Sequence, residues 1–415
     1  MSSRERASRA REPRPRRGSN QVGLGQYNER IVLHSIRTRG AVPKAELARL
    51  TGLSNQTMSL IIDRLLDAGL VRKRDPVRGR IGQPSVPIAL NPDGAFALGV
   101  KIGRRNLDVL LVDFCGAVRG RSTVEYDFPD PDRLFEDLRR RIGSVRRRLP
   151  AALRSRVVGT GVAAPLTIGG WQDMLGIAPH LAARWNGVDI ARKVRAVTRL
   201  PVEFAKDTTA ACVAELVSGC GQRIDSFLYL FVDTFIGGGL VLDGQLYAGR
   251  HGNAGAVASM PLGLAEPAAA PPQLLSSASL WTLERLYAGA GLDPSAAGDA
   301  RALAAPWLDH TIAWKLQAGN AIAAAVTSAA ALLDVDAVVI DGACDPELLR
   351  QLIAATQESL AHYRWEGLQH LEVLPGSHGG DARALGGALL PFHARFSPDP
   401  DVFIVPISPN VAAMA

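Results

Sequence analysis

Cysteine is scarce and scattered. The 415 residues hold four, Cys115, Cys212, Cys220 and Cys344, with no CxxC pair among them. That excludes a disulfide framework and a Cys-rich zinc site, and it fits a reducing compartment. Long apolar runs are missing too. No uninterrupted stretch approaches the ~20 residues that cross a bilayer, although 47% of the chain is hydrophobic, ample for a large core. The seven arginines of the first 20 residues have no apolar segment behind them, which reads against a secretory signal. The chain is expected in the cytoplasm, with no membrane partner. Acidic residues are sparse in one region only. Residues 1–90 carry 18 Lys and Arg against 7 Asp and Glu, whereas the remainder has 29 against 33. A basic head on a slightly acidic body is the charge asymmetry of a nucleic-acid-binding domain joined to a regulatory one.

The head contains PKAELARLTGLSNQTMSLIIDRLLDAGL, residues 43–70. Leu47 and Leu50 are read as one apolar face of a first helix opened by Pro43, with Gly52 as its end and Ser54 as the cap of the next. In that second helix Met58, Ile61, Ile62 and Leu65 fall at i, i+3, i+4 and i+7, a single apolar stripe. Asn55, Gln56 and Ser59 occupy the other face, with Thr57 at its edge. Short helix, glycine turn and polar-tipped helix make a helix-turn-helix. A supporting helix is expected over Asn28–Ile36 before it, behind a disordered Arg-, Ser- and Pro-rich tail (1–20). After it, Val71 and the alternation Val86, Ile88, Leu90 predict two strands of a wing. Arg72, Lys73, Arg74, Arg78, Arg80 and Gln83 lie in or beside the loop between them. Asn55, Gln56 and Ser59 are the expected base readers, Ser54, Thr57 and the helix N-terminus the phosphate contacts, and the wing residues Arg72, Arg74, Arg78, Arg80 and Gln83 the outer DNA contacts.

From Gly94 the pattern changes. Strands are predicted over Phe96–Ile102, Leu107–Val112, Ala117–Tyr126, Val157–Ala164 and Leu200–Asp207, separated later by helical stretches. A second set begins at Ser226, with a glycine-rich turn expected at Gly237–Gly239. An Ala-rich helix is expected over Ala321–Leu333, a strand over Ala337–Ala343 and a final helix over Asp381–Arg395. Two successive hairpin-plus-helix units imply two α/β lobes with a cleft between them.

The stretches GVKIGRRNLDVLLVD, GIAPHLAARWNGVDI, PVEFAKDTTAACVAE, FIGGGLVLDGQLYAGRHGNAGAV and GGDARALGGALL, in that order over about residues 25–395, resemble the ROK family. The closer likeness is to its transcription-factor branch of xylose and N-acetylglucosamine repressors. The resemblance implies an α/β, actin-like (ribonuclease-H-like) two-lobe ATPase fold preceded by a winged helix-turn-helix. Domains are then expected at 21–90 for the DNA-binding head and 91–415 for the effector-binding and oligomerisation body.

The departures from the family's pattern are as informative. Family kinases carry G-x-D-x-G-G-T in the first phosphate hairpin. This chain has Gly99, Lys101, Gly103, Arg104 and Arg105 there, reversing the charge at the metal-side carboxylate. The second motif, G-T-G-I-G, is replaced by Asp233, Thr234, Phe235, Ile236 and Gly237. Phosphoryl transfer depends on preorganised charge and positioning, so no kinase activity is expected, although Asp207 matches the family's general base. The zinc module is absent as well. Ala256 and Ser259 stand at its Glu and His positions, and LSSASLWTLE (275–284) replaces its Cys loop, so no metal and no cofactor are expected, and packing by Leu280, Trp281 and Leu283 is expected in its place. By resemblance the sugar-site positions are Asp207, Lys206, Ser259 and Glu284, with His180 near the cleft. Lys206 beside Asp207 suits an anionic ligand such as a phosphosugar or sugar acid.

These readings converge on a sequence-specific DNA-binding regulator, a repressor of carbohydrate-related genes. Its expected partners are a double-stranded DNA operator with an inverted repeat, other copies of itself in a homodimer or tetramer, and a carbohydrate-type effector. The alternatives are an active ATP-dependent sugar kinase with a DNA-binding head and a ligand-free regulator controlled by a protein partner.

Overall fold

Strands and helices alternate along most of the chain in a computed structural model that describes residues 21–76, 85–166, 168–170, 174, 176–265 and 270–398. The chain divides into two compact units, residues 1–90 with 396–415 and residues 91–395. The basic tail, residues 1–20, and the wing residues Arg78, Arg80 and Gln83 lie outside the described residues.

In the first unit, helix α1 (Gln21–Arg39) is longer than its periodic segment predicted. Strand β1 (Val42–Pro43), helices α2 (Lys44–Thr51) and α3 (Asn55–Asp67), and strands β2 (Val71–Lys73) and β3 (Pro87–Leu90) follow. β3 lies between β1 and β2, antiparallel to both, which completes a winged helix. Gly52 ends α2 in the left-handed region at φ 67°, a conformation glycine adopts without a Cβ penalty. Two details differ from expectation. Pro43 opens no helix: its fixed φ of −63° serves an extended residue paired with Pro87, and α2 starts at Lys44 without a side-chain cap. Leu50 is exposed, while Leu47 and Ala48 are buried. At 100° per residue the buried direction of α2 falls between Leu47 and Ala48, about 110° away from Leu50.

The Ser54 hydroxyl caps α3 by accepting from the Thr57 backbone N–H at 3.1 Å. The stripe Met58, Ile61, Ile62 and Leu65 is buried throughout. Ser54→Ala is therefore expected to loosen the first turn of α3 by about 1 kcal/mol. The readout is a roughly fivefold loss of hydrogen-exchange protection at the first amides of the helix; unchanged protection would mean that packing alone holds this end.

The second unit repeats one arrangement twice. β4 (Phe96–Ile102), β5 (Asn106–Asp113) and β6 (Val118–Glu125) form an antiparallel meander, and β7 (Val157–Ala164) and β8 (Val202–Lys206) add in parallel beyond β4, giving the order β6-β5-β4-β7-β8. β9 (Phe227–Val232), β10 (Gly237–Leu242) and β11 (Gln245–Leu246), with β12 (Ala337–Gly342) and β13 (Glu372–Pro375), repeat it as β11-β10-β9-β12-β13. This is the actin-like, two-lobe α/β architecture. Helices α4 (Pro131–Arg147), α5 (Pro179–Ala183), α6 (Ile190–Thr198) and α7 (Asp207–Ser218) accompany the first sheet. Helices α8 (Leu274–Ala278), α9 (Leu280–Gly289), α10 (Leu308–Leu333), α11 (Pro346–Leu360) and α12 (Ala382–Phe396) complete the chain.

The alternation of strand residues decides what each sheet face meets. Phe96, Leu98, Val100 and Ile102 of β4 pack against Leu134, Leu138, Ile142 and Val145 of α4. Leu228, Leu230 and Val232 of β9 pack with Trp314 and Ile322 of α10 and Leu348 and Leu352 of α11. The opposite faces meet α7 and α12: Phe227, Tyr229 and Phe231 cluster with Ala211, Cys212 and Leu216. A Cβ on Gly99 of β4 would stand 2.6 Å from Ala388 of α12.

The expected turn at Gly237–Gly239 is instead the start of strand β10, and the turn before it spans Asp233 to Ile236. These glycines serve close approach. Added Cβ atoms would stand 2.7 Å from Thr208, 2.4 Å from the Tyr229 carbonyl and 2.6 Å from Cys212. Helix α10 corrects a second expectation, being long and apolar enough by length and composition alone to cross a membrane. Half of its most apolar window is buried, and Gly319 lets it approach Ala355 of α11 so closely that a Cβ would lie 2.9 Å from that backbone. It has the packing of a core helix.

Candidate functional site

On α3 the exposed residues are Asn55, Gln56, Leu60, Asp63, Arg64 and Asp67, while Ser59 and Thr57 are half-buried. Ser54 and Thr57 are occupied with each other, their hydroxyls 2.9 Å apart. Asp63 and Arg64 are held by ion pairs with Lys44 (3.5 Å) and Glu29 (3.1 Å). Asn55 and Gln56 are exposed polar side chains at the tip. Arg72, Lys73 and Arg74 are exposed on and after β2. Leu60, one turn after Gln56, lies on the same outward face and is not among the expected base readers, all of which are polar.

The second cluster lies in the two-lobe body, where both sheets turn their inner faces to α7 and α12. The two helices touch at Gly386 and Ala210: a Cβ on Gly386 would lie 1.7 Å from the Ala210 carbonyl oxygen. Three residues earlier on each helix, about one turn back, Arg383 meets Asp207. Its guanidinium stands 3.9 Å from that carboxylate and pairs more closely with Asp233 in the β9–β10 turn. It also lies 4.9 Å over the Phe231 ring. Its side chain is only 14% exposed. Burial pulls its pKa down, but Asp233 and Asp207 more than offset this, so the net direction is upward.

Two further cations converge on these carboxylates. Lys101, on the β4 face opposite the α4 core, is 6% exposed. It donates to the Asn106 side-chain oxygen and lies 3.6 Å from Asp108. Burial, and then the charge of Arg383, bring its pKa down to about 8, against the opposing pull of Asp108, Asp233 and Asp207. Arg104, in the β4–β5 turn, lies 5.4 Å over the Phe235 ring, and Phe235 in turn packs against Trp281 at 6.4 Å. Burial lowers the Arg104 pKa while Asp207 and Asp233 raise it. Its Nε and that of Arg383 are buried without a hydrogen-bond partner among the described residues.

Buried carboxylates fix the start of α12. Glu215 of α7 accepts from the Ser377 N–H at 3.0 Å and the Ser377 hydroxyl at 2.8 Å. Asp341 at the end of β12 accepts from the Gly379 N–H at 3.0 Å and the Tyr229 hydroxyl at 3.1 Å. Sequence reasoning singled out neither Glu215 nor Asp341 nor Arg383, although Glu215 closes PVEFAKDTTAACVAE and Arg383 lies within GGDARALGGALL.

Among the sugar-site residues expected by resemblance, Lys206 and Asp207 adjoin at the β8–α7 junction. Burial lowers the Lys206 pKa and Asp207 opposes it; its ammonium reaches Asn253 at 3.5 Å. Glu284 is within electrostatic reach of the cluster: burial raises its carboxyl, Arg105 lowers it and Asp233 raises it again. His180 is exposed on α5 and Ser259 is exposed in the turn after Ala256; neither shares a hydrogen bond or ion pair with Asp207 among the described residues. Where the family's Cys loop would be, Leu280 and Leu283 are buried and Trp281 donates its indole N–H to the Met174 carbonyl at 3.0 Å.

A winged helix joined to a two-lobe body is the build of a DNA-binding transcriptional regulator. The chain belongs to the ROK family, which its residues 97–393 match, and residues 26–81 match the MarR family. It is 27% identical over 370 residues to an uncharacterized protein of Sinorhizobium fredii, covering 89% of this chain and 91% of that one. It is 24% identical over 239 residues to the xylose repressor of Caldicellulosiruptor bescii, covering 57% and 59%. The solved structure of a ROK family transcriptional regulator, a homolog of the E. coli MLC protein, superposes with a TM-score of 0.66 at 23% identity over 91% of this chain and 98% of that one.

Proposed function

We propose that the chain is an operator-binding repressor of carbohydrate-related genes, whose body has given up phosphoryl transfer and serves as the receptor for a sugar-derived, negatively charged effector. The observation that carries this is Arg383 seated on Asp207 and Asp233. A buried guanidinium beside Asp207 occupies the space from which a general base would take a substrate proton, and Phe235 with Arg104 fills the turn where a phosphate needs bare backbone. Lys101, Arg104 and Lys206 leave positive charge for an anionic group on the ligand. Residues 21–90 would bind DNA: Asn55, Gln56 and Ser59 on bases, the α3 N-terminus with Ser54 and Thr57 on phosphate, and Arg72 and Arg74, with Arg78, Arg80 and Gln83, through the wing. Residues 91–415 would bind the effector and join copies into a homodimer or tetramer on an inverted repeat, in the cytoplasm. Effector binding would shift the population away from the operator-competent form.

The test is a thermal-shift screen of the full-length chain with neutral sugars, sugar phosphates, sugar acids and Mg-ATP, followed by operator-binding titrations with each hit. An acidic sugar that stabilises the chain at ~100 times its Kd should add about 2.7 kcal/mol, lose its effect in Asp207→Ala and weaken operator binding. A clear response to Mg-ATP with phosphorylated sugar as product would overturn the loss of catalysis. No response to any sugar would overturn the effector.

A further inference from the structure

The outward face of α3 carries an apolar side chain at its centre. The buried stripe of Met58, Ile61, Ile62 and Leu65 fixes one direction of the helix. At 100° per residue the opposite direction falls on Gln56, Leu60, Asp63 and Asp67. Leu60 is 59% exposed, although one turn to either side the face is polar. Lys44 and Arg64 near it are paired with Asp63 and Glu29, and Asp67 shares its face; the positive charge of the same unit lies on Arg72, Lys73 and Arg74, exposed on and after β2. That charge draws a polyanion onto the unit. The only apolar feature on the major-groove edge of a duplex is the 5-methyl group of thymine.

We propose that Leu60 is a specificity-determining residue that reads thymine methyl groups in the major groove. This rests on the DNA-binding reading above and deepens it. Gln56, one turn closer to the tip, can both donate to and accept from an adenine edge, so the two residues would favour an A·T-containing step under the first two turns of α3. Burying one methyl is worth about a fourfold change in affinity. Cytosine at the same place would lose that contact and bury its N4 amino donor under a leucine, so T over C should be at least tenfold.

The experiment is selection of binding sites from a random duplex pool with the full-length chain. Dissociation constants at one fixed salt concentration are then measured for the selected site and for copies in which single thymines are replaced by deoxyuridine, which removes only the methyl. The expected result is one thymine position per half-site where uracil weakens binding about fourfold. The same replacement should have no effect in Leu60→Ala, and Leu60→Met should retain part of it. Uracil tolerated at every position, or a thymine dependence unchanged in Leu60→Ala, would overturn the assignment while leaving DNA binding intact. Weaker self-association of Leu60→Ala with thymine dependence unchanged would assign Leu60 to an interface between copies and overturn it too. A chain that enriches no sequence at all would overturn the DNA-binding reading, and this assignment with it.

Discussion

Replacing Arg383 by leucine is expected to destabilise the two-lobe body by about 3–5 kcal/mol, the usual consequence of removing one partner from a buried ion pair. Arg383 is the cation closest to both Asp207 and Asp233. Without it two carboxylates face each other on a half-dry surface, with Lys101 and Arg104 acting only from a greater distance. Arg383→Lys should recover part of the loss, because it restores the charge but not the planar fork. Combining Arg383→Leu with Asp207→Asn and Asp233→Asn should recover most of it, since an uncharged set no longer leaves a carboxylate uncompensated. Urea denaturation of the full-length chain followed by tryptophan fluorescence measures all three. If Arg383→Leu costs less than about 1 kcal/mol, the pair behaves like an exposed one. The site is then wet and open, and Asp207 is free to act as a base.

Most of what local rules control could be read directly. The cap at Ser54, the left-handed Gly52 and the buried stripe of α3 are decided within one helical turn. The hairpin strands follow from period-2 alternation, and strand β7 matches its predicted bounds at Val157–Ala164. Failures occur where a residue's role depends on a distant partner. Gly237, Gly238 and Gly239 carry the signature of a turn, but they are glycines because α7 and neighbouring backbone press against β10. Arg383 is far from Asp207 in sequence, and their meeting requires the helix crossing at Gly386 and Ala210, which no periodicity encodes. Leu60 is illegible for another reason: hydrogen-bonding chemistry marks polar side chains as base readers, and an exposed leucine carries no such mark. Resemblance located Asp207, Lys206 and Glu284 near the charged cluster but gave no sign that an arginine would sit on Asp207.

Lys101→Met is expected to stabilise the chain at pH 7, an unusual direction for a substitution at a buried position. The unfolded chain holds the Lys101 proton up to its ordinary 10.5, whereas the folded chain releases it near 8. The folded value is depressed, so below pH 8 both states are charged and the native state carries the full penalty, about 3 kcal/mol. Between pH 8 and 10.5 the unfolded state binds more protons. Stability from this group therefore rises with pH and the penalty is gone above that window. Methionine matches the length of lysine without its charge, and Asp108 keeps the Thr123 hydroxyl at 2.6 Å and the Asn106 amide at 3.1 Å. The gain in unfolding free energy should therefore approach 3 kcal/mol as an upper bound at pH 7 and shrink towards zero near pH 10.5, as urea titrations of both proteins at the two pH values would measure. An equal gain at both values would assign the effect to packing, and a loss at pH 7 would mean that Asp108 depends on the ammonium. In the function proposed above, Lys101 is one of the cations that meet the anionic group of the effector. The variant that gains stability should accordingly lose affinity for an acidic sugar, and the two changes should appear together in one protein.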